Sequence, residues 1–137
     1  MSGKAFVDTN IFVYAALKSV DNSPKRRLAV ELLNSSLSIV VSTQVLSEFT
    51  SVLLRKKIAD HDIKSRVEGI AADSVVTAVT LETIRLAWDL RNKHLFSYWD
   101  SLIVASAIQT DCTTLYTEDL NHGMVVNKRL HIVNPFN

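Results

Sequence analysis

Asp8 interrupts an apolar run, A-F-V-D-T-N-I-F-V-Y-A over residues 5–15, and a carboxylate amid buried core needs a physical reason to be there. Three further acids stand at comparable points: Glu48 in S-T-Q-V-L-S-E-F, Asp100 in Y-W-D-S-L-I-V-A-S-A, and Asp119 in L-Y-T-E-D. Carboxylates gathered in one crevice repel one another and raise each other's pKa values, a conflict that a divalent cation removes. An acid-only donor set selects Mg²⁺ or Mn²⁺, and phosphate chemistry is the commonest use of such a site. The alternative of a zinc site finds no support, because His61, His94, His122 and His131 are dispersed and read as surface or structural residues.

Each acid also has a purely local reading. Asp8 suits the N-cap of a short helix, but capping can be met by Thr9 or Asn10, and these are expected to take that role and free Asp8 to point into the crevice. Asp100 follows Ser97 at capping-box spacing, where an acid also suits the helix dipole. Asp119 sits in a polar turn, where Asp is ordinary. Glu48 is harder to explain locally. At about 100° per residue it falls about 40° beyond Val52 on the stripe Val45, Leu46, Phe49, Val52 and Leu53, so partial desolvation and a partner are expected.

Topology is what joins the four. Short apolar runs alternate with helical patterns along the chain. Strands are expected at Ala5–Val7, Leu37–Val41, Ser74–Val79, Thr113–Tyr116 and, as a possible fifth, His131–Val133. Helices are expected over Asn10–Leu17, after Pro24 with Leu28, Leu32 and Leu33, after the caps Ser42 and Thr43, over Asp60–Ala72, after Thr80, and after Ser97. This alternation predicts a mainly parallel sheet covered on both faces. Sites in such sheets open at the carboxyl ends of the strands. Asp8 ends the first strand, Glu48 lies in the second turn after the second, and Asp119 follows the fourth. Asp100 begins the helix leading towards that fourth strand, so all four are expected at one edge.

The composition suits one soluble domain spanning 1–137, with a 47% apolar fraction and only three Gly and two Pro. Fifteen basic and fourteen acidic residues nearly balance, but four acids confined to one cleft would leave the remaining surface net basic. A single cysteine, Cys112, allows no intrachain disulfide. The M-S-G-K start is not of signal-peptide type, and no apolar segment approaches the roughly 18 residues of a membrane span, so a cytoplasmic protein is expected.

Taken in order, F-V-D-T-N-I-F, S-T-Q-V-L-S-E-F, Y-W-D-S-L-I-V-A-S-A and L-Y-T-E-D-L-N-H-G, with a closing N-P-F, resemble the PIN domain, and within it the VapC-type toxins of toxin–antitoxin pairs. The resemblance covers essentially the whole chain. It implies a three-layer α/β/α sandwich with a four- or five-stranded sheet, and a Mg²⁺- or Mn²⁺-dependent endoribonuclease leaving a 3′-hydroxyl and a 5′-phosphate. The family's acidic quartet falls on Asp8, Glu48, Asp100 and Asp119, with Asp8 and Asp100 as direct metal ligands. Thr9, Asn10 and Thr117 match its supporting polar positions. A small antitoxin partner and a homodimer are implied as well.

An RNA substrate asks for cations near the cleft. Candidates are Lys25-Arg26-Arg27, Arg55-Lys56-Lys57, Arg91 with Lys93, and Lys128-Arg129, with Arg55 and Lys56 favoured because Arg55 lies two turns beyond Glu48 on its side of the helix. Trp99, beside Asp100, is a candidate for stacking on a base. Each has a competing reading as solvated surface or core, and Leu28, Leu32 and Leu33 fit a partner interface or the chain's own core equally well. Two other functions remain open: a non-catalytic RNA- or partner-binding module on the same fold, and an aspartyl phosphotransferase. The second usually shows D-x-D, where this chain has Asn10 two residues after Asp8.

Overall fold

The computed structural model describes residues 3–18 and 23–137, so Met1 and Ser2 of the M-S-G-K start lie outside the described residues. Within these, the order is β1 (Lys4–Val7), α1 (Thr9–Ala16), α2 (Ser23–Leu33), β2 (Ser38–Ser42), α3 (Thr43–Arg55) and α4 (Asp60–Ala72). There follow β3 (Val75–Thr77), α5 (Leu81–His94), α6 (Tyr98–Gln109), β4 (Thr114–Tyr116), β5 (Val125–Val126) and β6 (Leu130–Val133). The strands form one sheet in the order β3-β2-β1-β4-β6-β5. Every pairing is parallel except β5 with β6.

The expected alternation therefore stands, but the expected four or five strands become six. The added strand, β5, is two residues long and leaves no apolar run to read. It doubles back onto β6 because Asn127 and Lys128 take φ values of 53° and 59°. The Arg129 N–H then donates to the Val126 carbonyl at 3.2 Å. Asn is among the few residues that tolerate this backbone region. At the other edge β3 is shorter than the expected 74–79, and its Val75 and Val76 are exposed.

Ala5, Phe6 and Val7 of β1 are all buried. Successive side chains in a strand point to opposite faces, so helices must cover the sheet on both sides. The helices meet that demand as two sets: α1 packs on α2 and α3, and α3 on α4, whereas α5 packs on α6. Helix α6 touches β2 and β4 and is buried continuously from Ser101 to Ala107, as expected of a helix apolar all round. Leu32 and Leu33 of α2 pack against the chain's own core.

Helix α3 starts directly after β2, with no intervening loop. Ser42 is fully buried there, and its hydroxyl accepts from the Val45 N–H at 3.3 Å. This cap fixes the first turns of α3, and so Glu48, relative to the sheet edge. Ser42→Ala removes the acceptor and leaves an N–H without its partner. It should cost about 1–2 kcal/mol in a urea melt, with an unchanged m-value.

Candidate functional site

The strand order reverses at β1: the chain runs outward through β2 and β3, then returns on the opposite side of β1 as β4. This makes a switch point between the carboxyl ends of β1 and β4, where a crevice opens. Asp8 and Thr117 are the first residues beyond those two strands. The backbone ties them together, with the Asp8 N–H donating to the Tyr116 carbonyl at 3.0 Å.

Asp8 is only 7% exposed. One carboxylate oxygen, Oδ1, accepts from the Thr9 N–H at 2.7 Å, and the other, Oδ2, accepts from the Thr117 hydroxyl at 2.8 Å. Asp8 is itself the N-cap of α1, which corrects the expectation that Thr9 or Asn10 would take that role. Capping and membership of a site are not alternatives here, because the two oxygens are used separately. The Thr9 hydroxyl is buried without a partner among the described residues. Asn10 turns elsewhere, its Nδ2 donating to Glu118 at 3.3 Å.

Thr117 is also buried, and its hydroxyl has a second partner, accepting from the Asp119 N–H at 3.1 Å. One hydroxyl thus connects the acid after β1 to the acid after β4. Across the cleft, the Ser97 hydroxyl caps α6 by accepting from the Asp100 N–H at 3.1 Å. Glu48 stands at the cleft rim, exposed as a residue but with its carboxyl partly desolvated and partnered by Gln44, as the helical stripe had suggested.

Electrostatics shows that the four acids share one field. Burial, reinforced by the charges of Asp119 and Glu48, pushes the Asp8 pKa from 3.8 to about 6 against the lowering effect of its two hydrogen bonds. Glu48 is raised by desolvation and by Asp100 and Asp119, with the Gln44 amide pulling the other way. Asp119 is raised by desolvation and by Asp100 and Glu118. Among the described residues, no cation pairs with Asp8, Glu48, Asp100 or Asp119. Nor do any three acids, as their side chains stand, converge closely enough to hold a metal ion. They form an open, unneutralised cleft.

The acid that sequence reasoning passed over is Glu118, next to Asp119. Its carboxylate accepts from Asn10 and Tyr14 of α1 and pairs with Lys25 of α2 at 2.8 Å. The Lys25 ammonium also lies 5.0 Å from the centroid of the Tyr14 ring and 5.5 Å from that of Phe136. Lys25, a member of one candidate basic cluster, is instead engaged in a partly exposed ion pair that clamps the T-E-D turn onto two helices. The available signal was the four-residue spacing of Asn10 and Tyr14, which puts both on one face of α1.

Arg55 lies at the last position of α3, about 10 Å along the helix axis from Glu48, and its Nη1 donates to the Ser51 hydroxyl at 3.4 Å. Lys56 follows as an exposed C-cap. Trp99 is 64% exposed beside Asp100.

Residues 5–125 match the family model of the PIN domain. The chain belongs to the PIN domain family. Solved structures of similar fold include a toxin–antitoxin complex from Klebsiella pneumoniae, at a TM-score of 0.72 and 16% identity, covering 96% of this chain and 98% of that one. VapBC2 from Rickettsia felis, bound to a promoter DNA fragment, aligns at a TM-score of 0.66 and 20% identity over 95% of this chain and 98% of that one. Mycobacterium tuberculosis VapC20, a toxin cleaving the sarcin–ricin loop, aligns at 0.67 and 18% identity over 85% and 92%. No curated protein matches the chain. Among the described residues of this PIN domain, no helix is long and apolar enough to cross a membrane.

The Asp8 pKa has a consequence for stability. Because its folded value lies above its unfolded one, Asp8 contributes stability that is complete below about pH 4 and lost as pH rises through about 6. A rise of that size corresponds to about 3 kcal/mol. In chelator, the melting temperature should therefore fall between pH 5 and pH 7.5. Asp8→Asn should flatten that fall and melt several degrees higher than the parent at pH 7.5. Identical pH profiles for the two proteins in calorimetry would contradict the assignment.

Proposed function

We propose that this PIN domain is a divalent-metal-dependent endoribonuclease, acting as the toxin of a toxin–antitoxin pair. The observation that carries this reading is the buried, unneutralised Asp8 at the switch point, within the field of Glu48 and Asp119, which themselves feel the charge of Asp100. Aspartate and glutamate supply hard oxygen donors, and among the four there is no thiolate or imidazole, so the donor chemistry fits Mg²⁺ or Mn²⁺. Asp8 and Asp100 would hold the ion, with Glu48 and Asp119 as further ligands or ligands through water. When bound, such an ion supplies charge neutralisation and a water of lowered pKa for attack on a phosphodiester.

The chain's own residues account for the rest. Asp8 is prevented from rotating by two hydrogen bonds on separate oxygens, so its carboxylate is pre-positioned. Thr117 holds Asp119 in register with Asp8 through the shared hydroxyl. Ser97 fixes the first turn of α6 and therefore Asp100. Glu118 is held towards α1 and α2 by its pair with Lys25, although its charge still raises the neighbouring Asp119.

That VapC20 is a toxin cleaving the sarcin–ricin loop supports RNA as the substrate class. The toxin–antitoxin complexes among the structures of similar fold support a small antitoxin partner. A homodimer belongs to the same proposal, as do Arg55 and Lys56 as outlying phosphate contacts.

Asp8→Asn and Asp100→Asn should each lower cleavage of a total-RNA pool by about 100-fold or more while leaving the circular dichroism spectrum unchanged. Chelator should stop cleavage and Mn²⁺ restore it. Cleavage by Asp8→Asn at the parent rate, or cleavage indifferent to chelator, sinks the proposal.

A further inference from the structure

A groove of about 290 Å³ borders the acidic cleft, lined by Gln44, Ser47, Glu48, Val79, Trp99 and Leu102. Its walls differ in kind. Val79 and Leu102 are aliphatic, Trp99 presents an indole that is 64% exposed, and Gln44, Ser47 and Glu48 form a polar margin. An apolar slot with a polar margin matches a flat heteroaromatic ring with hydrogen-bonding edges.

Trp99 is held in place although it is exposed. The Gln44 side-chain nitrogen donates to the Trp99 carbonyl at 3.2 Å, and the Trp99 ring packs edge-on against Tyr98 with centroids 5.3 Å apart. Val79 is tied to α3 by its N–H, which donates to the Thr43 hydroxyl at 3.1 Å. Gln44 is nine-tenths buried, and its amide oxygen has no partner among the described residues. That oxygen is closed off inside the protein, so the Gln44 amide anchors the start of α6 to α3.

We infer that this groove is a subsite for one unpaired nucleobase of the RNA strand, with Trp99 as its stacking face and the polar margin of Ser47 and Glu48 beside the base edge. The inference rests on the nuclease reading above for its occupant. Glu48 belongs both to the groove and to the acidic quartet, and Trp99 immediately precedes Asp100. A strand whose phosphate lies at the carboxylates therefore has a neighbouring base beside the indole. Stacking on an aromatic side chain tolerates any base.

The test is equilibrium binding of a short unstructured RNA oligonucleotide to the full chain at low salt in chelator, read by fluorescence anisotropy. Trp99→Ala should weaken binding about 5- to 150-fold, the range that stacking of one base implies. Trp99→Phe should recover most of the loss, and Trp88→Ala, outside the groove, should bind as the parent does. An abasic oligonucleotide of equal length should not distinguish parent from Trp99→Ala. Equal RNA affinity for parent and Trp99→Ala, or no measurable RNA binding by the parent, overturns the inference. So does a Trp99→Ala variant that changes the sedimentation coefficient and not RNA affinity, since that marks a contact between two copies of the chain. Cleavage measured in parallel separates the two readings. Loss of Asp8-dependence with the Trp99 pattern intact rejects the nuclease alone; Asp8-dependent cleavage with Trp99→Ala binding and cutting like the parent rejects the groove alone.

Discussion

The hydrogen bond from the Thr117 hydroxyl to Asp8 crosses the switch point of the sheet, joining the carboxyl ends of two strands that are far apart in sequence and adjacent in space. Its geometry depends on the parallel pairing of Val7 with Tyr116, which brings the two chain exits side by side. The same hydroxyl accepts from the Asp119 N–H, so one small side chain sets the relative positions of two of the four acids. A threonine suits this role because its hydroxyl donates and accepts at once while its branched Cβ limits rotation. Burying Asp8 beneath this bond keeps a carboxylate where desolvation opposes its charge.

The adjacent acids Glu118 and Asp119 show how the fold sorts charge. Glu118 faces α1 and α2, where Lys25 neutralises it and Asn10 and Tyr14 satisfy its oxygens. Asp119 is exposed and, among the described residues, has no cation against it. The clamp on Glu118 does more than stabilise a turn: the Glu118 charge is felt at Asp119 but is not among the causes that raise Asp8 or Glu48. A partly exposed ion pair adds little stability of its own. Its contribution here is to orientation.

Much of this was legible in the sequence because it follows from local rules. Ser42, Thr80 and Ser97 cap the helices they were expected to begin, and the alternation of apolar runs with helical patterns led directly to the parallel sheet. All four acids follow from one topological rule, which depends on element order and tolerates errors in element boundaries. The structure couples them through charge: Asp8 feels Glu48 and Asp119, and both of these feel Asp100. What escaped depends on contacts distant in sequence. No local pattern shows that Lys25 pairs with Glu118, a partner 93 positions away. Strand β5 escaped for a different reason, since two residues cannot display a period. The cap of α1 was misjudged because capping and site were treated as competing uses of Asp8, whereas a carboxylate has two oxygens and the fold uses both.

The same distinction bears on the basic residues. A near-neutral chain can still bind a polyanion, provided its acids are gathered in the cleft and its cations lie elsewhere. Lys25 is withdrawn from that pool, and Arg55 lies about 10 Å down α3 from Glu48, so neither of these two stands against the carboxylates. Beside Asp100 the Trp99 indole is exposed and uncharged, and a nucleic acid meeting it there would do so through stacking. Such an arrangement favours an unpaired strand, whose bases can turn outward, over a duplex presenting only its phosphates. Affinity would then depend less steeply on salt than in a site built from lysine and arginine contacts alone.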